Sequence, residues 1–335
     1  MDAVPDHESL AEYRAARDAV GVVDRSDLGV VEVTGRDRAK FLHALLSNDI
    51  AALAPGQGCA ATLLDIHGKV QVTLVVLVLD DRMLLLTPPG MGESTAAALD
   101  HYLFAEKVTL EDVTGQRALL MLVGPAAEET AKRLTGAAPP DAPWSHVAAS
   151  LDGPPEDIDA RVVRGGGETG QREVWLVVPA AARERAWKAA LAAGARPLGV
   201  AALESLRIEA GTPRFGVDVD ATVLLPEIPS AHLISHTKGC YPGQEVVVRI
   251  RDRGHVNRHL RGLLLEGELV PPRGAEVVAD GAVVGQVTSA TLSLGLRRAI
   301  ALAFIKRQQE PGARVRVSVG AATLPATVSD LPFAR

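Results

Sequence analysis

Along the 335-residue chain, the spacing of apolar residues switches between helical and strand periods. Between residues 8 and 20, Leu10, Tyr13 and Val20 recur at roughly helical spacing and predict a surface helix. Residues 28–33 read as a strand. Thr34 and Asp37 then form a capping-box pattern ahead of Phe41, Leu42, Leu45 and Leu46, an apolar helical stripe that stops at Ser47-Asn48-Asp49. Residues 58–65 predict a strand, and Ile66-His67-Gly68-Lys69 a tight reversal into a second one. There Val70, Gln71, Val72 and Thr73 alternate before residues 74–79 become apolar throughout, as in a strand running from a half-exposed edge into a covered region. Asp80-Asp81 turns the chain into a strand at 82–87, and residues 92–103 predict a helix. Residues 108–113 and 116–123 predict a further strand pair, and Gly124-Pro125 opens a helix.

Residues 137–155 are rich in alanine and proline and read as a loop. Strands follow near 161–164 and 173–178. A helix over 179–193 turns Ala186, Trp187, Ala190 and Leu191 inward, and another over 197–210 ends at Gly211 and Pro213. Hairpins mixed with single crossing helices predict α+β layers. From about Val256, short apolar segments (260–265, 275–279, 283–289, 300–305, 315–319, 326–328) alternate with Gly and Pro, the texture of a small antiparallel barrel or sandwich. A domain boundary is expected at Arg253-Gly254. The β-branched run after Gln244-Glu245 favours a strand locally.

The length predicts two or three domains, because single cores stop growing near ~250 to 300 residues. Net charge −6 with 3% aromatic residues argues against a nucleic-acid surface. The most apolar run, residues 70–79, is half the ~20 residues a membrane helix needs. The acidic start, residues 1–10, has no apolar stretch after basic residues, so no secretory signal is expected and the cytoplasm is the expected compartment. Cys59 and Cys240 are the two cysteines and form no CxxC, which excludes a disulfide framework or a four-cysteine metal centre within one chain.

Several motifs reduce to ordinary chemistry. Gly165-x-Gly167-x-x-Gly170 matches a dinucleotide fingerprint, but a strand follows it where a helix N-terminus is required, so a hairpin loop is expected. His232/His236 and His255/His259 have helical spacing without a carboxylate in the zincin arrangement, and Asp218, Asp220 and Glu227 read as solvated loop acids; no metal site is expected. Glu209 is more informative. It sits in the last turn of its helix, where the dipole disfavours an acid by ~0.3 to 1 kcal/mol, so it either meets a ligand or is offset by Arg207 or Arg214. A carboxylate fits a pair of adjacent N–H donors such as the amino-pyrimidine edge of a pterin. Lys238, Arg249, Arg251 and Arg253 then either meet an anionic tail or form a solvated basic face.

The densest chemistry lies at residues 236–245, His-Thr-Lys-Gly-Cys-Tyr-Pro-Gly-Gln-Glu. Flanking glycines leave the Cys240 sulfur little cover, and Lys238 would lower its pKa if close, so a functional thiol is expected there. Cys59 lies in an apolar strand and reads as a buried thiol.

Lys238-Gly239-Cys240-Tyr241-Pro242-Gly243-Gln244-Glu245 closely resembles the signature of the YgfZ-type folate-binding proteins, relatives of the glycine-cleavage T-protein (aminomethyltransferase). Residues 28–35, 41–49, 55–56, 207–216 and 285–290 resemble further landmarks of that superfamily in the same order. The resemblance implies an α+β, three-lobed ring holding tetrahydrofolate or a related folate. Two interleaved lobes, 1–50 with 110–253 and 51–109, would make a folate-binding region over 1–253, with a C-terminal antiparallel β-barrel over 254–335. It implies a helix after Gln244, Cys240 and Lys238 as catalytic residues, and Glu209, Asn48, Asp49, Arg214, Tyr241, Gln244 and Arg249 as folate-binding residues, although Asp49 reads equally well as a cap of the loop after its helix. The implied role is assembly or repair of iron-sulfur clusters, with client or assembly proteins as partners. T-protein enzymes carry an Asp-Asp pair after the Gly-rich turn; Val72 and Thr73 stand here, and valine accepts no proton. Leu28 and Leu203 stand where some relatives have aromatic residues lining the folate. The alternative is a folate-dependent aminomethyl or one-carbon transferase with Asp65 or His67 as its base.

Overall fold

In the computed structural model, which describes residues 7–151, 160–320 and 322–334, two α+β lobes and a closed barrel pack around a shared cavity. One lobe is a five-stranded antiparallel sheet. Its strands are β2 (Leu28–Thr34), β3 (Gly58–Leu64), β4 (Val70–Val78), β5 (Met83–Pro89) and β6 (Thr109–Asp112), in the order β3-β4-β5-β2-β6. Helices α2 (Arg38–Leu45) and α3 (Gly92–Asp100) cover its outer face, where Phe41, Leu42 and Leu45 meet Val31, Val33, Leu74 and Val76.

The other lobe is a six-stranded sheet ordered β11-β1-β7-β10-β9-β8, from β1 (Gly21–Asp24), β7 (Arg117–Val123), β8 (His146–Ala149), β9 (Ala160–Arg164), β10 (Glu173–Pro179) and β11 (Arg196–Pro197). Strand β7 shows why both faces read as apolar. Ala118, Leu120 and Leu122 pack under α4 (Ala127–Thr135) and α5 (Arg183–Ala192), while Leu119, Met121 and Val123 face the first lobe. The inner faces of the two sheets share one core with Tyr13 of α1 (His7–Asp18) and Leu203 and Leu206 of α6 (Val200–Glu209).

Helix α7 (Gln244–Arg253) leads into the barrel, whose closed order is β12-β15-β14-β13-β16-β17. These are β12 (Arg258–Leu265), β13 (Glu276–Ala279), β14 (Ala282–Ser293), β15 (Arg298–Lys306), β16 (Arg314–Val319) and β17 (Ala322–Ser329). Along β15 the small Ala299, Ala301 and Ala303 fill the barrel interior, and Ile300, Leu302 and Phe304 pack against the lobes. No described helix is long and apolar enough to cross a membrane.

The lobes divide the chain differently from the expected 1–50 and 51–109 split. β2 and α2 belong with β3–β6, because Val31 and Val33 supply the core that α2 covers. The expected pairing of 108–113 with 116–123 is also replaced. β6 joins β2 in one sheet and β7 joins β1 and β10 in the other, so this short connection crosses between lobes. β8 forms inside the expected loop at 137–155 by pairing with β9; residues 152–155 of that range, like residues 1–6, lie outside the described residues. In α5, Ala186 and Ala190 are buried while Leu191 is exposed, not inward. After Gln244 the chain is a helix despite its β-branched run. Gly243 turns with φ +75°, its Cα so close to the backbone of the 65–68 turn that a Cβ would sit 2.4 Å from the Asp65 carbonyl oxygen. Val246 then packs over Gly68 and Val247 is buried, contacts that override local propensity.

Candidate functional site

The inner sheet faces, the turn after α6 and Leu331-Pro332 enclose a cavity of about 430 Å³. Trp175, on the inner face of β10, and Trp144 form one wall, their rings 6.1 Å apart and tilted by 59°. The Arg25 guanidinium lies 5.4 Å from the Trp175 ring centroid, and its Nη1 donates to Glu168 Oε2 at 2.8 Å. Both charges line the cavity.

The Gly-rich loop before β10 holds Glu168 there. Gly167 N donates to Glu173 Oε2 at 3.1 Å; Thr169 N and Oγ1 donate to Oε1 at 2.6 and 2.7 Å. The loop's donors thus wrap an internal carboxylate, which accounts for a fingerprint-like sequence without a helix behind it. A Cβ at Gly165 would lie 2.3 Å from that of Glu173. Burial, and next the neighbouring Glu168 charge, push the Glu173 carboxyl above its usual range against these bonds.

Arg207 and Arg214 lie on another side of the cavity. Buried Arg207 donates through Nη1 to Thr212 O (2.8 Å) and Asp218 Oδ2 (2.9 Å), and through Nη2 to Glu204 Oε2 (2.7 Å) and Ser289 Oγ (3.0 Å). Arg214 Nη2 takes the other Glu204 oxygen at 2.5 Å, and Thr288 donates to Asp218 Oδ1 at 2.5 Å. Burial works against the Glu204 charge, but the two arginines hold its carboxyl below the usual carboxylate range. This network ties α6 to β14. Asp218 is therefore a buried ion-pair member, not a solvated acid, and Glu227 receives both Nε and Nη2 of Arg258 at 3.0 and 3.2 Å. Only Asp220 keeps the expected exposed role, accepting from Thr222.

Glu209 departs from its expected folate contact. Its carboxylate points away from the cavity, accepting from Tyr13 OH (2.7 Å), Ser205 Oγ (2.9 Å), Ser293 Oγ (2.6 Å) and Gly295 N (3.2 Å). The acid at the helix end is retained for a joint between α1, α6 and the barrel. On β4, strand alternation sends Val72 into the core beneath α2 and Thr73 to the cavity, so the second position of the pair, not the first, faces the site. Asp65 accepts from the backbone N–H groups of His67 (2.8 Å) and Lys69 (2.9 Å); neither Asp65 nor His67 lines the cavity.

The segment carrying Cys240 runs along the outer edge of β3. Ser47 Oγ donates to Leu233 O at 2.6 Å, and Ser235 N donates to Ser47 O at 3.0 Å. Asn48 Nδ2 donates to Ala60 O (2.9 Å) and His232 O (3.2 Å), bracing two residues of the cavity wall from behind. Lys238 is buried and caps the C-terminal end of α2, donating to the carbonyls of His43 and Leu46 with its Nζ 4.9 Å from the Tyr241 ring centroid. Burial pushes its ammonium down to about 8 against the pull of Asp49, Cys240 and Cys59. Cys240 itself is exposed, and neither it nor Lys238 reaches the cavity. Burial pushes the Cys59 thiol up to about 12.

Of the expected folate contacts, only Arg214 lines the cavity. Asp49 pairs with His43 at 3.1 Å, Tyr241 is buried under the barrel, and Gln244 and Arg249 lie on α7 outside it. Sequence reasoning missed Arg25, Trp144, Glu168 and Trp175, and it named Thr73 only as a departure from the acid pair and His232 only as a rejected metal ligand. The one available signal was Glu168, a lone charge among glycines just before a tryptophan-bearing strand. Among the described residues, no group of three or more His, Cys, Asp or Glu is placed to hold a metal ion.

Residues 5–236 match the family model of the GCVT N-terminal domain, and residues 258–334 that of the glycine cleavage T-protein C-terminal barrel domain. An aminomethyltransferase of Frankia alni is 34% identical over 329 residues, spanning 97% of this chain and 88% of that protein. A putative chloroplastic transferase of Arabidopsis thaliana is 30% identical, spanning 86% of this chain and 66% of that protein. The crystal structure of glycine cleavage system aminomethyltransferase T from Bartonella henselae superposes with TM-score 0.87 at 22% identity, covering 97% of this chain and 89% of that one, and so shares its fold.

Proposed function

The chain belongs to the glycine-cleavage T-protein family, and on that premise we propose that its cavity binds a tetrahydrofolate and that the protein acts on the one-carbon unit this folate carries. The observation carrying this reading is the cavity, about 430 Å³ with tryptophan walls and the Arg25–Glu168 pair. A flat bicyclic ring suits an apolar slot with a few placed polar groups. Bound there, the folate would supply the nitrogens that bear the carbon unit.

The chain's own part is to bind, orient and shield. Leu28, Leu86 and the two tryptophans would exclude water from the ring, and His232, whose burial favours neutral imidazole, would accept a proton near it; Thr73, a hydroxyl, relays one but does not store it. The aminomethyltransferase relatives support transfer over simple binding. Purified protein incubated with tetrahydrofolate and aminomethyl, sarcosine or dimethylglycine donors should form methylene-folate above background. Folate binding without turnover on any donor would dismiss the transfer step.

A second reading is favoured by Cys240, exposed on an anchored loop of the YgfZ-like signature, together with Thr73 where an acid would face the folate. In it, the folate-bound protein supports assembly or repair of iron-sulfur clusters in cytoplasmic client enzymes, and Cys240 is the working thiol. Gene deletion should then lower iron-sulfur enzyme activities that wild type restores. Full restoration by Cys240→Ser would remove the thiol from the account.

A further inference from the structure

We infer that Glu168 and Arg25 together read the pyrimidine edge of the bound pterin, making Glu168 a specificity-determining residue of the site. This rests on the folate reading above. Glu168 is the one carboxylate on the cavity wall among the described residues. Its Oε2 accepts from Arg25 Nη1 at 2.8 Å, while Oε1 receives no hydrogen bond from any described residue.

The chemistry of the pair matches the ligand edge in order. A reduced pterin presents its 2-amino group and N3–H as adjacent donors, followed by the 4-oxo acceptor. A carboxylate accepts the two donors side by side, and a guanidinium beside it has donors to spare for the oxo group. The Trp175 ring, 5.4 Å from the Arg25 guanidinium, supplies an apolar face next to that polar edge.

Glu168 is also fixed in place from both sides. The residues before and after it, Gly167 and Thr169, each donate a backbone N–H to the buried Glu173 carboxylate. The loop therefore cannot swing Glu168 away without exposing or unpairing that group, and the site is organised before a ligand arrives. Glu209 cannot supply this recognition, since its carboxylate is bonded within the α1, α6 and barrel joint.

The test compares tetrahydrofolate with its analogue lacking the 2-amino group, titrated by calorimetry into wild type and Glu168→Gln. Wild type should prefer tetrahydrofolate by about ten- to a hundred-fold, and Glu168→Gln should narrow that preference to about threefold or less, the scale expected when a charged acceptor is lost. A merely structural ion pair would weaken both compounds alike and leave the ratio unchanged, which would overturn the inference. Should Glu168→Gln fail to fold, the wild-type ratio still decides, because equal affinities for the two compounds overturn it. Binding of neither compound by wild type would bring down the folate reading and this inference with it.

Discussion

Tyr13 donates its hydroxyl to Glu209 Oε2 at 2.7 Å, in a buried joint where helix α1, helix α6 and the barrel meet. Burial, then the bond and charge of Glu209, push the phenol well above its usual pKa, so this donor keeps its proton across the working pH range. Glu209 is thus a structural acid, and its replacement separates stability from ligand binding. Tyr13→Phe leaves a buried carboxylate short of one donor and should lower unfolding stability by about 1–3 kcal/mol. Denaturant titration measures this. Tetrahydrofolate affinity of the folded variant should match wild type, because neither residue lines the cavity.

The two cysteines should separate by reactivity. Cys240 is exposed, whereas the half-buried Cys59 thiol is held protonated by burial and by the nearby Asp49 charge. Thiolate is the reacting form. Iodoacetamide at pH 8 should therefore label one site rapidly, with the peptide containing Cys240 carrying the mass shift, and Cys240→Ser should abolish the fast phase. Equal labelling of both sites in the native protein would contradict this assignment.

Much of the architecture was legible in the sequence because period and punctuation survive along the chain. The barrel announced itself by short apolar segments between Gly and Pro, and the exposed thiol by the glycines that strip its cover. What stayed hidden is which face of an element meets which neighbour. Along β4 residues 70–75 alternate buried and half-buried, so sequence can place Val72 and Thr73 on opposite faces but cannot say that the more open face lines a cavity. Nearly every residue from Ala202 to Glu209 on α6 is buried, so no polar stripe marks the side of Arg207 from that of Glu209. Glu168 was obscured for a different reason: its loop's purpose, wrapping Glu173, depends on a contact that no local pattern encodes.

His146 makes the seam between the lobes sensitive to acid. Its backbone N–H bonds Gly56 O at 2.7 Å across the two lobes, and both ring nitrogens are buried beside the backbone of Val78 and Gln57. Burial, then the Arg161 charge, push its pKa from 6.5 down to about 4. The folded state therefore prefers neutral imidazole. The stabilising difference is fully present above pH 6.5, where neither state is protonated, and is lost as pH falls from 6.5 towards 4, since the unfolded chain takes up the proton first. The loss should be on the order of 3 kcal/mol. Thermal midpoints measured across that window should fall more steeply for wild type than for His146→Gln; parallel curves would assign the acid sensitivity to other groups.

Arg207 is the buried cation on which the cavity wall and the barrel both depend. It is 1% exposed and neutralises Asp218 and part of Glu204 while bonding Ser289 of β14. Removing it strands Asp218, whose side chain is fully buried, with bonds only from neutral donors. Arg207→Met should therefore destabilise the protein by about 3–5 kcal/mol, the cost typical of breaking one side of a buried pair. Arg207→Met with Asp218→Asn should be more stable than Arg207→Met alone, because the second change takes away the uncompensated charge. Urea unfolding of the two single variants, the double variant and wild type yields the coupling directly. Additive effects at these two sites would mean that the 2.9 Å contact contributes little and that Glu204 carries the pairing.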